Sequence, residues 1–123
     1  MKSFGTLRYG DSNWLVVDVD SELARYYRSF IPKNCLFNVP LHSPHITVVN
    51  GRFEVPVKSD KWKLYEGETI EFDYNTQIYV DELYMWLHVD CKRLEEIRTE
   101  LGLTECFDND KGFHITIANM KGV

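Results

Sequence analysis

Positive charge is in short supply in this chain: 14 lysines and arginines stand against 19 aspartates and glutamates, for a formal charge of −5. Holding a long nucleic acid needs many cations against many phosphates. Polymeric DNA or RNA is therefore excluded as the main partner, whereas a small phosphate ligand in a local pocket is not. Cysteine is scarce and odd in number, Cys35, Cys91 and Cys106, with no C-x-x-C pair. This excludes a disulfide framework and a four-cysteine zinc site and points to a reducing cytoplasm. A long hydrophobic run is also lacking. The stretch from Trp14 to Val17 is too short for a bilayer span or a signal-peptide core, so no membrane is expected and the chain should stay where it is made. There is no G-x-S-x-G elbow, P-loop or dinucleotide fingerprint, which removes the usual marks of a serine hydrolase or a P-loop nucleotide hydrolase.

What is present suits one globular domain over residues 1–123, with 44% hydrophobic and 14% aromatic residues and enough length to bury a core. After a loop-like opening containing Gly5 and Gly10, residues 13–20 read as a strand and Asp20 or Ser21 as a helix cap. Leu23, Tyr26, Tyr27, Phe30 and Ile31 recur at helical spacing until Pro32 ends the pattern, which predicts about three turns. Residues 33–43 read as loop and 45–49 as a strand of branched side chains closed by Gly51. The segment 52–67 reads as loop with a short strand near 53–57. Two or three strands are expected between 69 and 91, broken near Asn75 and Asp81. A second helix carries Leu94, Ile97 and Leu101 on its apolar stripe, with Glu95, Glu96 and Arg98 elsewhere and Gly102 at its stop. Residues 109–112 read as a turn and 113–120 as a last strand.

The chain also repeats itself. Trp14-Leu15-Val16-Val17-Asp18 matches Trp86-Leu87-His88-Val89-Asp90, 72 residues on, and Pro44-His45-Ile46-Thr47-Val48 matches Phe113-His114-Ile115-Thr116-Ile117, 69 residues on. Both copies of the Trp14–Asp18 match precede a helix. The expected fold is α+β: two pseudo-symmetric strand-helix-strand lobes with largely antiparallel sheets around a central cleft.

Because side chains alternate along a strand, His45 and Thr47 share one face and His114 and Thr116 share another, with Ile46, Val48, Ile115 and Ile117 turned away. The polar faces need water or a polar ligand, since burying imidazole and hydroxyl without partners is costly. Four histidines and seven threonines in this length would give roughly 0.2 H-x-T triplets by chance, so two in matching repeats point to a site. A single triplet would be read as a strand histidine beside a threonine of high β propensity. That plainer reading is kept for His42, in a loop, and for His88, taken as the position that Val16 fills in the other lobe. Metal binding through His42 and His45 is disfavoured, because strands do not bring residues three apart onto one face. No metal and no cofactor is expected.

Paired H-x-T motifs in two strand-helix-strand lobes resemble the two-histidine (2H) phosphoesterase superfamily, over nearly the whole chain from Trp14 to Ala118. The wording Pro44-His45-Ile46-Thr47-Val48-Val49-Asn50-Gly51, Lys61-Trp62, Tyr65-Glu66-Gly67-Glu68, Ile70-Glu71-Phe72, Leu94-Glu95-Glu96-Ile97-Arg98 and Glu100-Leu101-Gly102-Leu103 is most similar to its phage branch, the anti-CBASS nucleases. These degrade the cyclic oligonucleotide signals of bacterial antiphage immunity. The resemblance implies a metal-independent phosphodiesterase acting on 3′-5′ bonds of cyclic di- or trinucleotides in the host bacterial cytoplasm.

The residues agree with that chemistry. Two imidazoles with ordinary pKa values of about 6.5 can hold opposite protonation states near neutrality, one accepting a proton while the other donates. Thr47 and Thr116 would hydrogen-bond the non-bridging oxygens of the phosphorane. Either histidine could be the base. Tyr9, Trp62 and Tyr74 are candidate stacking partners for nucleobases, against a plain packing role; Lys61, Lys63 and Lys111 are read as solvated surface. Two alternatives remain at this point: a phosphodiesterase of RNA 2′,3′-cyclic or 2′-5′ ends, and a nucleotide-binding sponge without turnover, which would not need two titrating groups.

Overall fold

In the computed structural model, which describes residues 1–105 and 111–120, the first strand runs through residues that the sequence suggests are loop. The order is β1 (Lys2–Tyr9), β2 (Leu15–Val19), α1 (Ser21–Arg28), β3 (Phe37–Asn38), β4 (His45–Val49), β5 (Thr69–Val80), β6 (Tyr84–Asp90), α2 (Lys92–Glu100) and β7 (His114–Met120), with a 3-10 turn at Ser59–Lys61. Gly5 does not break β1. A Cβ there would lie 2.4 Å from Val17 Cγ1 and 2.6 Å from the Asp18 carbonyl oxygen, so glycine is what lets β1 lie close against β2.

The class is α+β, and all the strand pairings are antiparallel. The strands follow the order β3-β7-β4-β2-β1-β5-β6, and β6 pairs back onto β7. Six strands therefore close into a ring, and β3 extends the edge of β7 beyond β4. The seam between β4 and β7 is narrow, with Ile46 opposite Ile115. The core holds Leu7, Leu15, Val17, Ile46, Phe72, Leu87, Ile115 and Ile117, all 1% exposed or less, packed in one cluster with Ala24, Tyr27, Leu94 and Ile97 of the helices.

Several expectations are corrected. The α1 helix is capped by the Asp20 carboxylate, which accepts the Glu22 N–H at 3.0 Å, but it ends at Arg28, short of three turns. Tyr26 and Phe30 are each 59% exposed, while Ala24, Tyr27 and Ile31 are buried. No strand forms over 53–57. The chain between 69 and 91 makes two strands: β5 runs through Asn75 with a register shift between Tyr74 and Ile78. The break falls at Asp81, whose carboxylate accepts the Leu83 and Tyr84 N–H groups at 2.7 Å each. On α2, Arg98, off the apolar stripe, is nevertheless fully buried. Cys106, Asn109 and Asp110 lie outside the described residues. No helix among the described residues is long and apolar enough to cross a membrane.

Register also revises the repeat. Asp18 lies opposite His45 across β2 and β4, whereas it is His88, not Asp90, that lies opposite His114 across β6 and β7. The matching positions are thus 70 residues apart rather than 72. The helices follow the same offset, Ala24, Tyr27 and Ile31 corresponding to Leu94, Ile97 and Leu101, all buried. A slip of two residues leaves every strand side chain on its original face, which is why identity alone placed the match in the wrong register. Both ladders carry an irregularity at equivalent points, between Leu15 and Val16 and between Met85 and Trp86.

Candidate active site

Ile46 and Ile115 meet at the β4–β7 seam with no exposure. Alternation then turns His45, Thr47, His114 and Thr116, all half-buried, to the opposite face of the sheet. The antiparallel register runs His45 toward Thr116 and Thr47 toward His114. The seam that closes the ring therefore brings both H-x-T pairs together.

The two imidazoles are held alike. His45 Nδ1–H donates to the Ser43 carbonyl at 2.9 Å, and His114 Nδ1–H donates to the Gly112 carbonyl at 2.9 Å. Each bond fixes the tautomer and leaves Nε2 for a ligand. Burial holds the His114 pKa below the ordinary value. The Gly112 carbonyl opposes this, and positive charge on Lys111, His45 and His88 adds to the lowering. His114 is thus neutral at neutral pH, with a lone pair on Nε2. Neither threonine hydroxyl hydrogen-bonds another described residue.

A cleft of about 390 Å³ is lined by His45, His114, Thr116, Tyr84, Lys111 and the loop from Pro40 to Pro44. On the other side of His45 lies a cavity of about 720 Å³ with Arg8, Trp14, Val16 and Asp18 in its wall. Thr47 lines neither. Behind the site, two buried carbonyls are tied down from the helices. Arg28 Nη1 donates to Ile117 O at 3.1 Å, and Arg98 Nη1 donates to Val48 O at 2.7 Å. Ile117 and Val48 follow directly after Thr116 and Thr47. Arg98 also grips the Glu54 carboxylate at 2.6 and 2.9 Å. Burial alone would raise the Glu54 pKa, but the bonds from Arg98 and the Asn50 N–H outweigh it and hold the carboxyl below its usual range.

The stacking candidates lie elsewhere. Tyr9 points inward from β1, 7% exposed, with its ring edge-on to Trp62 at 4.8 Å. Tyr74, within β5, is 9% exposed. It helps to line a separate apolar groove of about 780 Å³ with Tyr26, Tyr27 and Phe30. None of the three lines either histidine cavity. Tyr9 closes β1 and Tyr74 lies in mid-β5, because both strands are longer than the sequence pattern suggests.

Other rings do face the site. Trp86 pairs with Thr116, its ring edge-on to His114 at 6.4 Å and stacked on Tyr79 at 6.2 Å. The Lys111 ammonium lies 4.7 Å from the Trp86 ring and 4.8 Å from that of Tyr84, and 3.1 Å from Asp81, so it is no merely solvated lysine. His88 joins the same face opposite His114, 3.4 Å from Asp90. The alternation of Tyr84, Trp86 and His88 with Met85, Leu87 and Val89 carried the choice of face, but only the true register sets Trp86 opposite Thr116 and His88 opposite His114. Among the described residues, no group of three or more His, Cys, Asp and Glu side chains is placed to hold a metal ion.

Comparison of the chain with protein-family models, with curated proteins and with solved structures finds no match.

Proposed function

We propose that the protein is a phosphodiesterase of the 2H type, built of two pseudo-symmetric lobes, that hydrolyses 3′-5′ bonds of cyclic di- or trinucleotide signals. It needs no metal. The observation that carries this reading is the convergence of two H-x-T pairs on one sheet face, with both imidazoles in the same tautomer and both Nε2 atoms left for a ligand. The two-lobed reading is supported by the equal registers of the two ladders and by the reciprocal bonds of Arg28 and Arg98.

In the first step neutral His114 takes the proton of the ribose 2′-OH through Nε2. The freed oxygen attacks phosphorus, and the 5′-oxygen leaves with a proton from His45 Nε2. Thr116 and Thr47 hydroxyls donate to the non-bridging oxygens, where negative charge grows. The product is a 2′,3′-cyclic phosphate, which water opens with the two histidines in exchanged roles. A phage enzyme of this kind would erase a host alarm signal in the bacterial cytoplasm.

The test offers cyclic dinucleotides, linear RNA and nucleoside 2′,3′-cyclic phosphates in excess EDTA and separates the products by chromatography. Linear products from the cyclic dinucleotides are expected, with turnover reduced about 10²-fold or more in His45→Ala and in His114→Ala. Opening of the small cyclic phosphates alone would move the assignment to RNA ends. Binding without any product would make the protein a sponge.

A further inference from the structure

We infer that the cavity beside His45 is a nucleobase subsite that prefers guanine to adenine, with Trp14 as its stacking wall and Arg8 as its reader. The inference rests on the phosphodiesterase reading for its place in the reaction, because a base in this cavity belongs to a nucleoside next to the scissile phosphate. The cavity shares His42, Ser43, Pro44 and His45 with the catalytic cleft. Its volume of about 720 Å³ lies in the range that ordinarily encloses a small organic ligand.

Trp14 is half-buried in this wall and, among the described residues, makes no ring contact. Its place is prepared. A Cβ on Gly51 would come within 2.8 Å of the Trp14 ring and 2.1 Å of the Ser12 carbonyl oxygen, so glycine there is what seats the indole. An apolar ring face left open beside a catalytic histidine is the feature that a stacked base needs. The position corresponds, at the 70-residue offset, to Tyr84 in the cleft beside His114.

Arg8 lies opposite Val16 across β1 and β2, and Val16 lies opposite Thr47, which puts the guanidinium on the catalytic face. Asp18 holds it by two hydrogen bonds, Nε at 2.7 Å and Nη2 at 3.1 Å. Nη1 bonds to no described residue, so its N–H groups, held in a fixed plane, are left for a ligand. The ligand is a base rather than a phosphate because the cation is already matched by Asp18 and by the nearby Glu66, and a second anion would face both carboxylates. Guanine presents O6 and N7, two acceptors, to an arginine; adenine presents the N6 amino donors beside N7 and would set a donor against a donor. Asp18 is the positioning residue for that plane.

Isothermal titration of the protein with guanosine and adenosine 5′-monophosphates reads the subsite without turnover. The wild type should bind the guanine nucleotide at least about fivefold more tightly, the lower end of what one bidentate base contact contributes. Arg8→Gln should erase the difference while leaving adenosine monophosphate nearly unchanged, and Trp14→Leu should weaken both. Arg25→Gln, which removes only an exposed α1 ion pair with Glu22, should change neither. Equal affinity in the wild type, or equal loss of both nucleotides in Arg8→Gln, would overturn the subsite, the latter by making Arg8 an anion anchor. Selective binding with no cleavage of any cyclic dinucleotide would sink the enzyme reading and keep the subsite. Cleavage of guanine and adenine substrates without preference, and without base-selective binding, would do the reverse.

Discussion

Arg28 and Arg98 make the same hydrogen bond in opposite directions. Arg28 leaves α1 to reach the Ile117 carbonyl on β7, and Arg98 leaves α2 to reach the Val48 carbonyl on β4. Each helix thus fastens the strand that carries the other half's histidine and threonine. At this point in both strands a residue is left out of the ladder, because Val16 pairs with Thr47 and Leu15 with Val49, as Trp86 pairs with Thr116 and Met85 with Ala118. A residue skipped by its ladder has a carbonyl in need of a donor, and the arginines supply it.

The two arginines should differ in weight. Arg98 is buried with Glu54, and Arg98→Met would leave that carboxylate without its cation, at a cost of about 3 kcal/mol or more. Arg28 is only half-buried, and Arg28→Met should cost about 1–2 kcal/mol, the loss of one charged hydrogen bond. Urea unfolding of the two variants checks the order. Equal losses would mean that the Glu54 contact adds nothing.

Acid should destabilise the fold in part through Glu54. Its carboxyl is held below the ordinary value in the folded chain, so the unfolded chain binds the proton more readily. The resulting stability is complete above the unfolded pKa of about 4.3 and is lost as pH falls through the folded one. Glu54→Gln should flatten that part of the stability profile. An acid slope unchanged by Glu54→Gln below the unfolded pKa would contradict the assignment.

Much of this was legible beforehand. The H-x-T strands, both helices and the shared face of His45, Thr47, His114 and Thr116 follow from alternation and helical spacing, which are local properties. What was not legible depends on partners. Gly5 looks like a loop former until β2 is seen against it. Arg98 looks like a surface residue until the carbonyl of Val48 and the carboxylate of Glu54 are placed around it. The two-residue slip of the repeat is invisible to patterning because the strand period is itself two, and it determined where His88 lies. Tyr9 and Tyr74 offer flat rings in the sequence, but both stand at buried strand positions, where such rings serve packing.

Gly51 offers a check on the hairpin that carries Trp14. Gly51→Ala would drive a methyl group into the Ser12 carbonyl oxygen and the Trp14 ring, so the turn or the indole must move. A loss of at least about 1 kcal/mol in stability is expected, within the range for overpacking. Full stability with unaltered tryptophan fluorescence would show that the seat is loose.

The pH dependence of turnover identifies the base. With burial lowering the His114 pKa, the acid limb of kcat/KM should lie below about 6.5. The Lys111 ammonium contributes to the lowering, so Lys111→Met should move the limb toward higher pH. A limb that stays in place when Lys111 is removed would assign it to another group.

The threonines should separate by kinetics. Thr116 lines the cleft with both histidines, and Thr116→Ala should lower kcat with little change in KM if its hydroxyl meets charge that appears only in the transition state. Thr47, outside that lining, should act the same way but more weakly. A rise in KM alone would make both of them ground-state phosphate ligands.

In the proposed reaction the ribose 2′-hydroxyl is the first nucleophile, activated by two histidines that converge at the β4–β7 seam. Its most direct test is a single-turnover comparison of a 3′-5′ cyclic dinucleotide with its 2′-deoxy analogue, followed by analysis of the ends. The ribose compound should open to a linear product ending in a 2′,3′-cyclic phosphate or the phosphate formed from it, and the deoxy analogue should bind but stay intact. Cleavage of the deoxy analogue at a comparable rate would mean that water attacks phosphorus directly and that the 2′-hydroxyl is not the nucleophile.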